Sequence, residues 1–278
     1  MQLNKAKNRK KFEAVKFTDG HTTNVHDQIV AEEALQLNIN GKPFTVTMRT
    51  PGSDINLIRG LLFTEGIYIG ESSLKSQVLE YNEDNVPISI NLQISPKHIG
   101  GKYYQSRSML SVSSCGICGK KELEDLIVSG KPIKSIHELN IDRLPKYFET
   151  MKTHQSVFHK TGGSHAAACF DSKGKLLMVE EDIGRHNAVD KIVGALLEKK
   201  TLDSASCLLV SGRVSFEIIS KCFKAGIPYL AAVSSPSSLS IETADAMGIC
   251  LLAFCRGENI TCYTHADRLI ANTLQITH

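Results

Sequence analysis

Two cysteines separated by two residues are the feature of this sequence best suited to chemistry. Cys115 and Cys118 lie in the stretch Ser113-Ser114-Cys115-Gly116-Ile117-Cys118-Gly119-Lys120, with no apolar run that would bury them. On one loop or first helical turn both sulfurs can face the same volume, and the glycine N–H groups and Lys120 favour the thiolate. A thiolate attacks the sulfur of a persulfide or a disulfide. The pair therefore indicates a reactive thiol site.

The spacing alone leaves three chemistries open. A zinc site needs two more ligands, and without a second C-x-x-C the chain would have to use His165 or His186. A thioredoxin-like dithiol usually follows a strand in a βαβ unit, and the context of Cys115 lacks that pattern. Sulfur transfer is the third possibility, and the two cysteines by themselves do not separate it from the others.

Composition limits the class of protein. The chain has 278 residues, of which 42% are hydrophobic and 22% are charged, as in one large or two ordinary globular domains. The formal net charge of +3 is too small to indicate a nucleic-acid partner. The basic residues among the first eleven are expected to form a solvated, frayed terminus. Because no apolar segment resembles a secretory signal or the roughly 18-residue span of a membrane helix, we expect a cytoplasmic protein without a membrane partner.

Six further cysteines are expected to be chemically inert. In a reducing compartment structural disulfides are rare. These six cysteines mostly have apolar neighbours, which is typical of small core residues. They are Cys169, Cys207, Cys222, Cys250, Cys255 and Cys262.

A cluster of ionisable residues precedes a predicted helix. The stretch is Glu180-Glu181-Asp182-Ile183-Gly184-Arg185-His186-Asn187. In one interpretation Asn187 caps the helix and the acids form a solvated rim. In the other, crowding of His186, Arg185 and three acids at a strand end marks a functional site. The sequence leaves both interpretations open.

Two junctions between a predicted strand and a predicted helix contain small hydroxyl-bearing residues. They are Ser211-Gly212-Arg213 and Ser234-Ser235-Pro236-Ser237-Ser238. Helix amino ends present free N–H groups to an anion, and the carboxyl ends of strands are the usual ligand sites of open α/β sheets. Arg213 adds a planar group suited to phosphate. Capping serines would explain either junction alone, but two consecutive junctions favour a nucleotide-like phosphate ligand.

The elements that carry these motifs predict an α/β protein. The sequence predicts a hairpin around Asn40-Gly41, with strands at 34–39 and 44–48. A helix that ends at Gly66 is expected next, followed by strands at 78–81 and 88–94. After a predicted helix at 120–127, helices are expected at 146–158, 189–197, 216–223 and 241–247. Six predicted strands alternate with these helices, which predicts a partly parallel sheet covered by helices. The strands are expected at 165–170, 175–180, 207–210, 229–233, 249–255 and 260–264.

Several motifs together resemble the FdhD family, the formate dehydrogenase accessory sulfurtransferases. The resemblance spans about residues 30 to 265 and includes an early helix at 54–67. The matching segments are Ser114–Gly119, Thr161–Ala166, Glu181–Lys191, Ser211–Glu217 and Ala231–Ser238.

The resemblance implies a fold. We expect a cytidine-deaminase-like α/β domain over residues 145–278 and a smaller α+β domain over residues 1–144 that carries the C-x-x-C loop. Deamination itself is not expected, because Pro236-Ser237-Ser238 replaces the cysteine pair of the deaminase zinc site and His165 is followed by Ala166-Ala167.

The resemblance also implies a function as a sulfurtransferase required by formate dehydrogenase. A cysteine desulfurase would load sulfur as a persulfide, and molybdenum bound by two molybdopterin guanine dinucleotides would receive it. Cys115 matches the persulfide-bearing cysteine of the family and Cys118 its companion. A homodimer without an intrinsic metal is expected. The rival hypothesis is a chaperone that binds and inserts the finished cofactor without covalent sulfur chemistry.

The segment of the family that contacts the cofactor falls on Phe254-Cys255-Arg256-Gly257-Glu258-Asn259. The family often has a second basic residue where this chain has Asn259. That difference leaves one fewer cation for phosphate. The junction residues Ser211, Gly212, Arg213, Ser234 and Ser235 are expected to complete the cofactor site.

Overall fold

The computed structural model describes residues 8–70, 74–100, 130–135 and 137–271. Cys115, Cys118 and the predicted helix at 120–127 lie outside the described residues. In the described part, no helix is long and apolar enough to span a membrane.

The chain begins with a long hairpin. Strand β1 (Arg9–Thr18) pairs antiparallel with β2 (His21–Val30), and the turn uses Asp19 and Gly20, both with positive φ. Most of its side chains are exposed, as expected for a solvated end. The expectation of a frayed terminus is wrong from Arg9 onward, because a ladder of backbone pairs along both strands orders the chain.

A four-stranded sheet and one helix follow. The strands are β3 (Glu33–Ile39), β4 (Lys42–Arg49), β5 (Lys75–Tyr81) and β6 (Pro87–Gln93), in the order β4-β3-β6-β5. The hairpin predicted at Asn40-Gly41 is confirmed, since both turn residues have the positive φ that Asn and Gly tolerate. Helix α1 (Asp54–Thr64) buries Ile58 and Leu62 against the strands.

The next segment differs from the single helix predicted at 146–158. After a short strand β7 (Leu139–Asn140), the chain forms α2 (Leu144–Thr153) and a separate short helix α3 (Phe158–Thr161). The helix breaks because the Glu181 carboxylate accepts hydrogen bonds from the backbone N–H groups of Val157 and Phe158, each at 2.8 Å, and so starts a new turn there.

The rest of the chain builds a six-stranded mixed sheet, which confirms the predicted α/β class. The strands are β8 (His165–Asp171), β9 (Leu176–Asp182), β10 (Ala205–Val210), β11 (Tyr229–Ala232), β12 (Cys250–Arg256) and β13 (Asn259–Cys262). Their order is β13-β12-β11-β10-β8-β9, and β10, β11 and β12 are parallel. A final strand β14 (Leu269–Ile270) pairs with β7.

Helices cover both faces of this sheet. One face packs on α4 (Arg185–Glu198), α5 (Phe216–Lys224) and α6 (Ser238–Met247). The other face packs on α2, where Tyr147 stacks on Phe170 with ring centroids 4.2 Å apart. Both faces are apolar because parallel strands between helix layers are buried on both sides. The division of the chain between residues 144 and 145 stays a prediction.

Glycines allow α1 to approach α4 closely, and this contact joins the two sheets. A Cβ atom on Gly60 would lie 1.9 Å from the Asp190 carbonyl oxygen, and one on Gly194 would lie 1.8 Å from the Asn56 carbonyl oxygen. Such contacts with backbone atoms leave no room for any side chain. The two backbones therefore pack directly against each other at these positions.

We expect Gly194→Ala to lower the free energy of unfolding by about 3 kcal/mol, because the added methyl group forces two helix backbones apart. Gly226→Ala is the matched control, since its Cβ meets no atom within 4 Å and only its φ of 69° is unfavourable, a cost of about 1 kcal/mol. Denaturant unfolding of both variants measures the difference. An equal loss in the two variants would contradict the close-packing interpretation.

Candidate functional site

The predicted binding segments meet at one edge of the six-stranded sheet. The strands β10, β11 and β12 are parallel neighbours, so the segments at their carboxyl ends lie side by side. Residues 211–213 follow β10, residues 234–238 follow β11, and residues 254–259 include the end of β12. Because β8 is antiparallel to β10, its first residue, His165, is at the same edge. We call these three segments, together with His165 and Arg185, the carboxyl edge. Crevices at this end of parallel strands are the usual ligand sites of α/β sheets.

Backbone hydrogen bonds tie the first two segments together. The N–H of Val214 donates to the Ser235 carbonyl at 3.1 Å, and the N–H of Ser237 donates to the Val214 carbonyl at 3.0 Å. The Ser237 hydroxyl caps α6 by accepting the N–H of Ser240 at 3.2 Å. Ser234 and Ser235 thus belong to a loop whose shape is fixed by its neighbour and by the helix that follows.

Ser211 and Gly212 fasten the edge to the start of β8. The Ser211 hydroxyl accepts the N–H of Ala166 at 2.9 Å, while the N–H of Ser211 donates to the Ala166 carbonyl at 3.0 Å. A Cβ atom on Gly212 would lie 3.2 Å from Nδ1 of His165. Gly212 therefore lets the loop pack on the histidine ring.

The third segment forms an irregular turn between β12 and β13. Phe254 has a φ of 53° and Gly257 a φ of 58°, and the strand pairing shifts register before Arg256 pairs with Asn259. A positive φ is uncommon for a bulky residue and is maintained only when the surroundings impose it. It leaves Phe254 40% exposed at the edge. Arg256 is also exposed and donates from Nε to the Val233 carbonyl at 3.2 Å.

A cavity of about 640 Å³ opens between the carboxyl edge and α2. Of the predicted site residues, Ser211, Cys255 and Gly257 line it. Its other walls are largely apolar, with a few polar groups, and include Phe148, Met151, Phe158, Ser164, His165 and Val233. The predicted residues outside its wall are Gly212, Arg213, Ser234, Ser235, Phe254, Arg256, Glu258 and Asn259. A volume of this size is typical of sites for small organic ligands.

His165 is the histidine in the wall of this cavity, and its pKa is perturbed. Burial lowers its pKa, the charges of Arg185 and Arg213 lower it further, and Asp182 opposes them. Burial, aided by the charges of the two arginines, therefore favours the neutral ring. The sequence indicated His165 only as a zinc ligand, although its position at the start of a predicted strand beside Gly162-Gly163 is a signal of its place at the edge.

Three arginines at the carboxyl edge have no acidic partner among the described residues. Arg185, Arg213 and Arg256 form no ion pair there, and the buried Nε of Arg185 has no hydrogen-bond acceptor. Guanidinium groups bind phosphate and carboxylate oxygens in a planar, bidentate manner. The amino ends of α5 and α6 add partial positive charge to the same edge. The arrangement therefore suits an anionic ligand.

The acidic cluster before α4 has a structural role rather than forming a solvated rim. Glu181 accepts hydrogen bonds from Val157, Phe158 and the Ser164 hydroxyl, all at 2.8 Å, and so anchors α3 beside the cavity. Burial raises the pKa of Glu180, which is partly offset by hydrogen bonds from Ser53 and Asn56. These contacts hold the walls of the site in place.

Asp182 is fully buried at the end of β9. Its carboxylate pairs with Lys191 at 2.7 Å and accepts the backbone N–H groups of Thr50 at 3.1 Å and Gly184 at 2.8 Å. The hypothesis that Asn187 caps the helix is wrong, because Gly184 is the cap residue and the Asn187 amide instead bonds Asp182. Asp182 thereby fixes the turn from which Arg185 projects.

His186 and Ser215 connect α4 to the start of α5. His186 Nε2 lies 3.1 Å from the Ser215 hydroxyl and 3.8 Å from Oε2 of Glu217. Ser215 occupies the cap position of α5, yet its side chain makes no capping bond to the helix. A catalytic triad needs the serine and the acid on opposite nitrogens of the imidazole. In these contacts both groups lie at Nε2, and the His186–Ser215 contact links α4 to the residue before α5.

Five of the six cysteines expected to be inert are buried, as predicted. They are Cys169, Cys207, Cys222, Cys250 and Cys255. Burial raises the pKa of Cys169 to about 12 and that of Cys255, in the cavity wall, to about 11. These thiols are therefore protonated and unreactive near neutral pH. In the described ranges, no three histidine, cysteine or acidic side chains are grouped as metal ligands.

Comparison with known proteins identifies relatives along nearly the whole chain. The model of the FdhD/NarQ family matches residues 30–270. The sulfur carrier protein FdhD of Streptomyces coelicolor is 40% identical over 92% of this chain and 93% of its own. That of Sulfolobus acidocaldarius is 37% identical over 94% and 98%. A formate dehydrogenase accessory protein structure from Desulfotalea psychrophila has the same fold, with a TM-score of 0.73, 20% identity and coverage of 94% and 99%.

We expect His165 to titrate below its usual pKa of 6.5, and Arg213→Ala to raise that pKa because one repelling charge is removed. A lowered histidine pKa means that protonation favours unfolding. The contribution of His165 to stability is therefore complete above pH 6.5 and is lost as the pH falls through the folded-state pKa.

NMR titration of the histidine rings in the full chain measures this shift. Lys224→Ala, at the far end of the helix that follows Arg213, is the control and should leave the His165 midpoint unchanged. A His165 pKa that does not change in Arg213→Ala would contradict the positive environment at the carboxyl edge.

Proposed function

The chain belongs to the FdhD/NarQ family, and on that premise we propose that it carries sulfur for the activation of a formate dehydrogenase. The single observation that carries the proposal is the C-x-x-C pair in a chain whose relatives over most of its length are named sulfur carrier proteins. Among the alternatives for the two cysteines, this observation favours sulfur transfer over a zinc site or a thioredoxin-like dithiol.

In the proposed mechanism the donor is the persulfide of a cysteine desulfurase. The Cys115 thiolate attacks the terminal sulfur of that persulfide, the donor S–S bond breaks, and the donor leaves as a thiolate with the electron pair. Cys115 then carries the persulfide, which Cys118 shares or shields. The support for this step is the spacing of the two cysteines and the resemblance of their segment to the family.

The proposed acceptor is molybdenum bound by two molybdopterin guanine dinucleotides, taken as a substrate. The carboxyl edge suits the phosphates of such a ligand, because Arg185, Arg213 and Arg256 have no acidic partners in the described part of the chain. The helix amino ends after β10 and β11 would add N–H donors. The apolar walls of the adjacent cavity would accept a planar, uncharged part of the same molecule.

The segment Phe254–Asn259 would contact the cofactor from the other side of the edge. Arg256 offers the cation of this segment, and the exposed ring of Phe254 offers a flat surface for a base. Cys255 is buried with a raised pKa, so its contribution would be packing rather than nucleophilic attack. Ser211, Gly212, Ser234 and Ser235 would shape the loops that hold Arg213.

We further propose a homodimer located in the cytoplasm and a cytidine-deaminase-like C-terminal domain. The resemblance of the motifs to the family supports all three. The mixed sheet between two helix layers is consistent with the proposed domain.

Cys115→Ala is expected to abolish formate dehydrogenase activation in cells, because no thiolate remains to take the sulfur. Ser114→Ala, which changes the neighbouring residue and keeps both thiols, is the matched control and should activate normally. Formate dehydrogenase activity is measured in cells that lack their own copy of the protein and express each variant at equal amounts.

Mass spectrometry separates this proposal from a chaperone that only binds the cofactor. After incubation with a desulfurase and cysteine, the peptide with Cys115 and Cys118 should gain about one sulfur atom. Full activation by Cys115→Ala would overturn the proposal. Stoichiometric zinc in the purified protein, lost in the same variant, would identify a zinc module instead.

A further inference from the structure

A buried polar side chain in the wall of the cavity has no partner in the described part of the chain. Gln155 is 6% exposed and lines the cavity of about 640 Å³. Its backbone is fixed, because its N–H donates to the Lys152 carbonyl at 3.1 Å and its carbonyl accepts the N–H of His159 at 3.0 Å. Its side-chain amide forms no hydrogen bond with any residue in the described ranges. The amide is thus held at the cavity without a protein partner.

Other polar groups of the same wall do not share this combination. The hydroxyls of Ser164 and Ser211 each form a hydrogen bond within the protein. Glu149 and Lys152 are exposed, so water can solvate their charges. A buried amide without a hydrogen-bond partner is unfavourable, and a ligand that supplies the partner removes the penalty. Gln155 therefore marks the position at which a polar part of a ligand would lie.

Flat and apolar side chains lie around this amide. Phe148 and Met151 come from α2, and Gln155 follows at helical spacing in the turn after the helix. Phe158 lines the wall from α3 and is 42% exposed. Aromatic side chains provide surfaces on which a flat ring stacks. The cavity therefore suits a flat heterocycle whose edge meets Gln155.

The carboxamide of Gln155 presents a donor and an acceptor side by side in one plane. Such a group forms two parallel hydrogen bonds with a ring edge that has an N–H group next to a carbonyl oxygen or a ring nitrogen. Guanine and pterin share an aminopyrimidinone ring with edges of this kind. An apolar ring would leave the buried amide unpaired. Gln155 therefore favours an aminopyrimidinone ring over an apolar ring of the same size.

The cavity borders the carboxyl edge, since Ser211, Cys255 and Gly257 line the cavity and belong to that edge. The arginines of the edge, which include Arg213 and Arg256, have no acidic partners among the described residues. Guanidinium groups bind phosphate oxygens. A ring in the cavity would therefore have its attached phosphates beside these cations.

We propose that Gln155 is a specificity-determining residue that hydrogen-bonds the aminopyrimidinone edge of a flat heterocycle in the cavity. This role rests on the proposed function for the identity of the ligand, the guanine dinucleotide form of the molybdenum cofactor, and adds the residue that recognises one of its rings. The guanine and the pterin of that molecule share the edge, and each can be supplied alone as a probe.

Isothermal titration calorimetry of the full chain tests this role with three probes. They are guanosine monophosphate, hydroxymethylpterin and purine riboside monophosphate, which keeps the purine and the phosphate but lacks the amino and carbonyl groups. We expect Gln155→Ala to weaken binding of guanosine monophosphate or of the pterin by about tenfold. Binding of purine riboside monophosphate should change much less. The probe that is affected identifies the ring that occupies the cavity.

Two further variants separate recognition from a structural effect. Gln77→Ala removes the same side chain from the exposed strand β5 and should bind every probe as the wild-type chain does. Gln155→Glu keeps the shape of the side chain but replaces the N–H donor with a charged acceptor, so it should weaken the same probe as Gln155→Ala. Thermal unfolding identifies the variants that are folded.

Three outcomes in folded protein would overturn the role of Gln155. They are no binding of guanosine monophosphate or the pterin to the wild-type chain, unchanged binding of both in the Gln155 variants, and equal weakening of purine riboside monophosphate. Loading of sulfur on Cys115 by a desulfurase does not use the cavity. The test of Cys115 and the test of Gln155 therefore fail separately.

Discussion

The buried ion pair of Asp182 and Lys191 is the interaction on which the arrangement of the site depends. A buried carboxylate is costly unless every acceptor position is used, and here an ammonium group and backbone N–H groups together satisfy it. Lys191 in turn donates to the carbonyls of Thr50 and Glu181, at 2.9 and 3.1 Å. One charge pair therefore joins the end of β4, the end of β9 and the first turns of α4. Together with the glycine contact between α1 and α4, this ion pair holds the four-stranded sheet and its helix against the six-stranded sheet.

This support explains how positive charge without acidic partners among the described residues can be kept at the carboxyl edge. Arg185 follows the turn that Asp182 fixes, its Cβ is close to the position of Gly212, and its charge is felt at His165 together with that of Arg213. Cations placed together without acidic partners repel one another, and the packing of the helices has to offset that repulsion. Proteins keep such locally unfavourable arrangements mainly where a ligand completes them. Negative phosphates would remove the repulsion and lower the energy of the edge.

Much of the fold could be predicted from local patterns. Asn40-Gly41 requires positive φ and specifies the hairpin by itself, and the apolar spacing of Val189 to Leu197 predicts a helix. The small hydroxyl-bearing residues at two consecutive strand-to-helix junctions, Ser211–Arg213 and Ser234–Ser238, were also identified from the sequence. Each of these features depends on residues that are neighbours in the sequence.

The remaining features depend on contacts between distant residues, which the sequence order does not reveal. The break between α2 and α3 arises from the Glu181 carboxylate, more than twenty positions away. The role of Asp182 depends on the position of Thr50, which is 132 positions away in the chain. The hairpin β1–β2 was missed because its strands lack a buried face and so show little alternation.

The central claim is that sulfur carried on Cys115 is delivered to a ligand held at the carboxyl edge. The most direct measurement loads the chain with radiolabelled sulfur, adds the molybdenum cofactor, and counts the label on the cofactor after a single turnover. Arg213→Ala should load as fully as the wild-type chain and the Lys224→Ala control, yet deliver much less label. Equal delivery by Arg213→Ala, or no label on the cofactor from the wild-type chain, would contradict the claim.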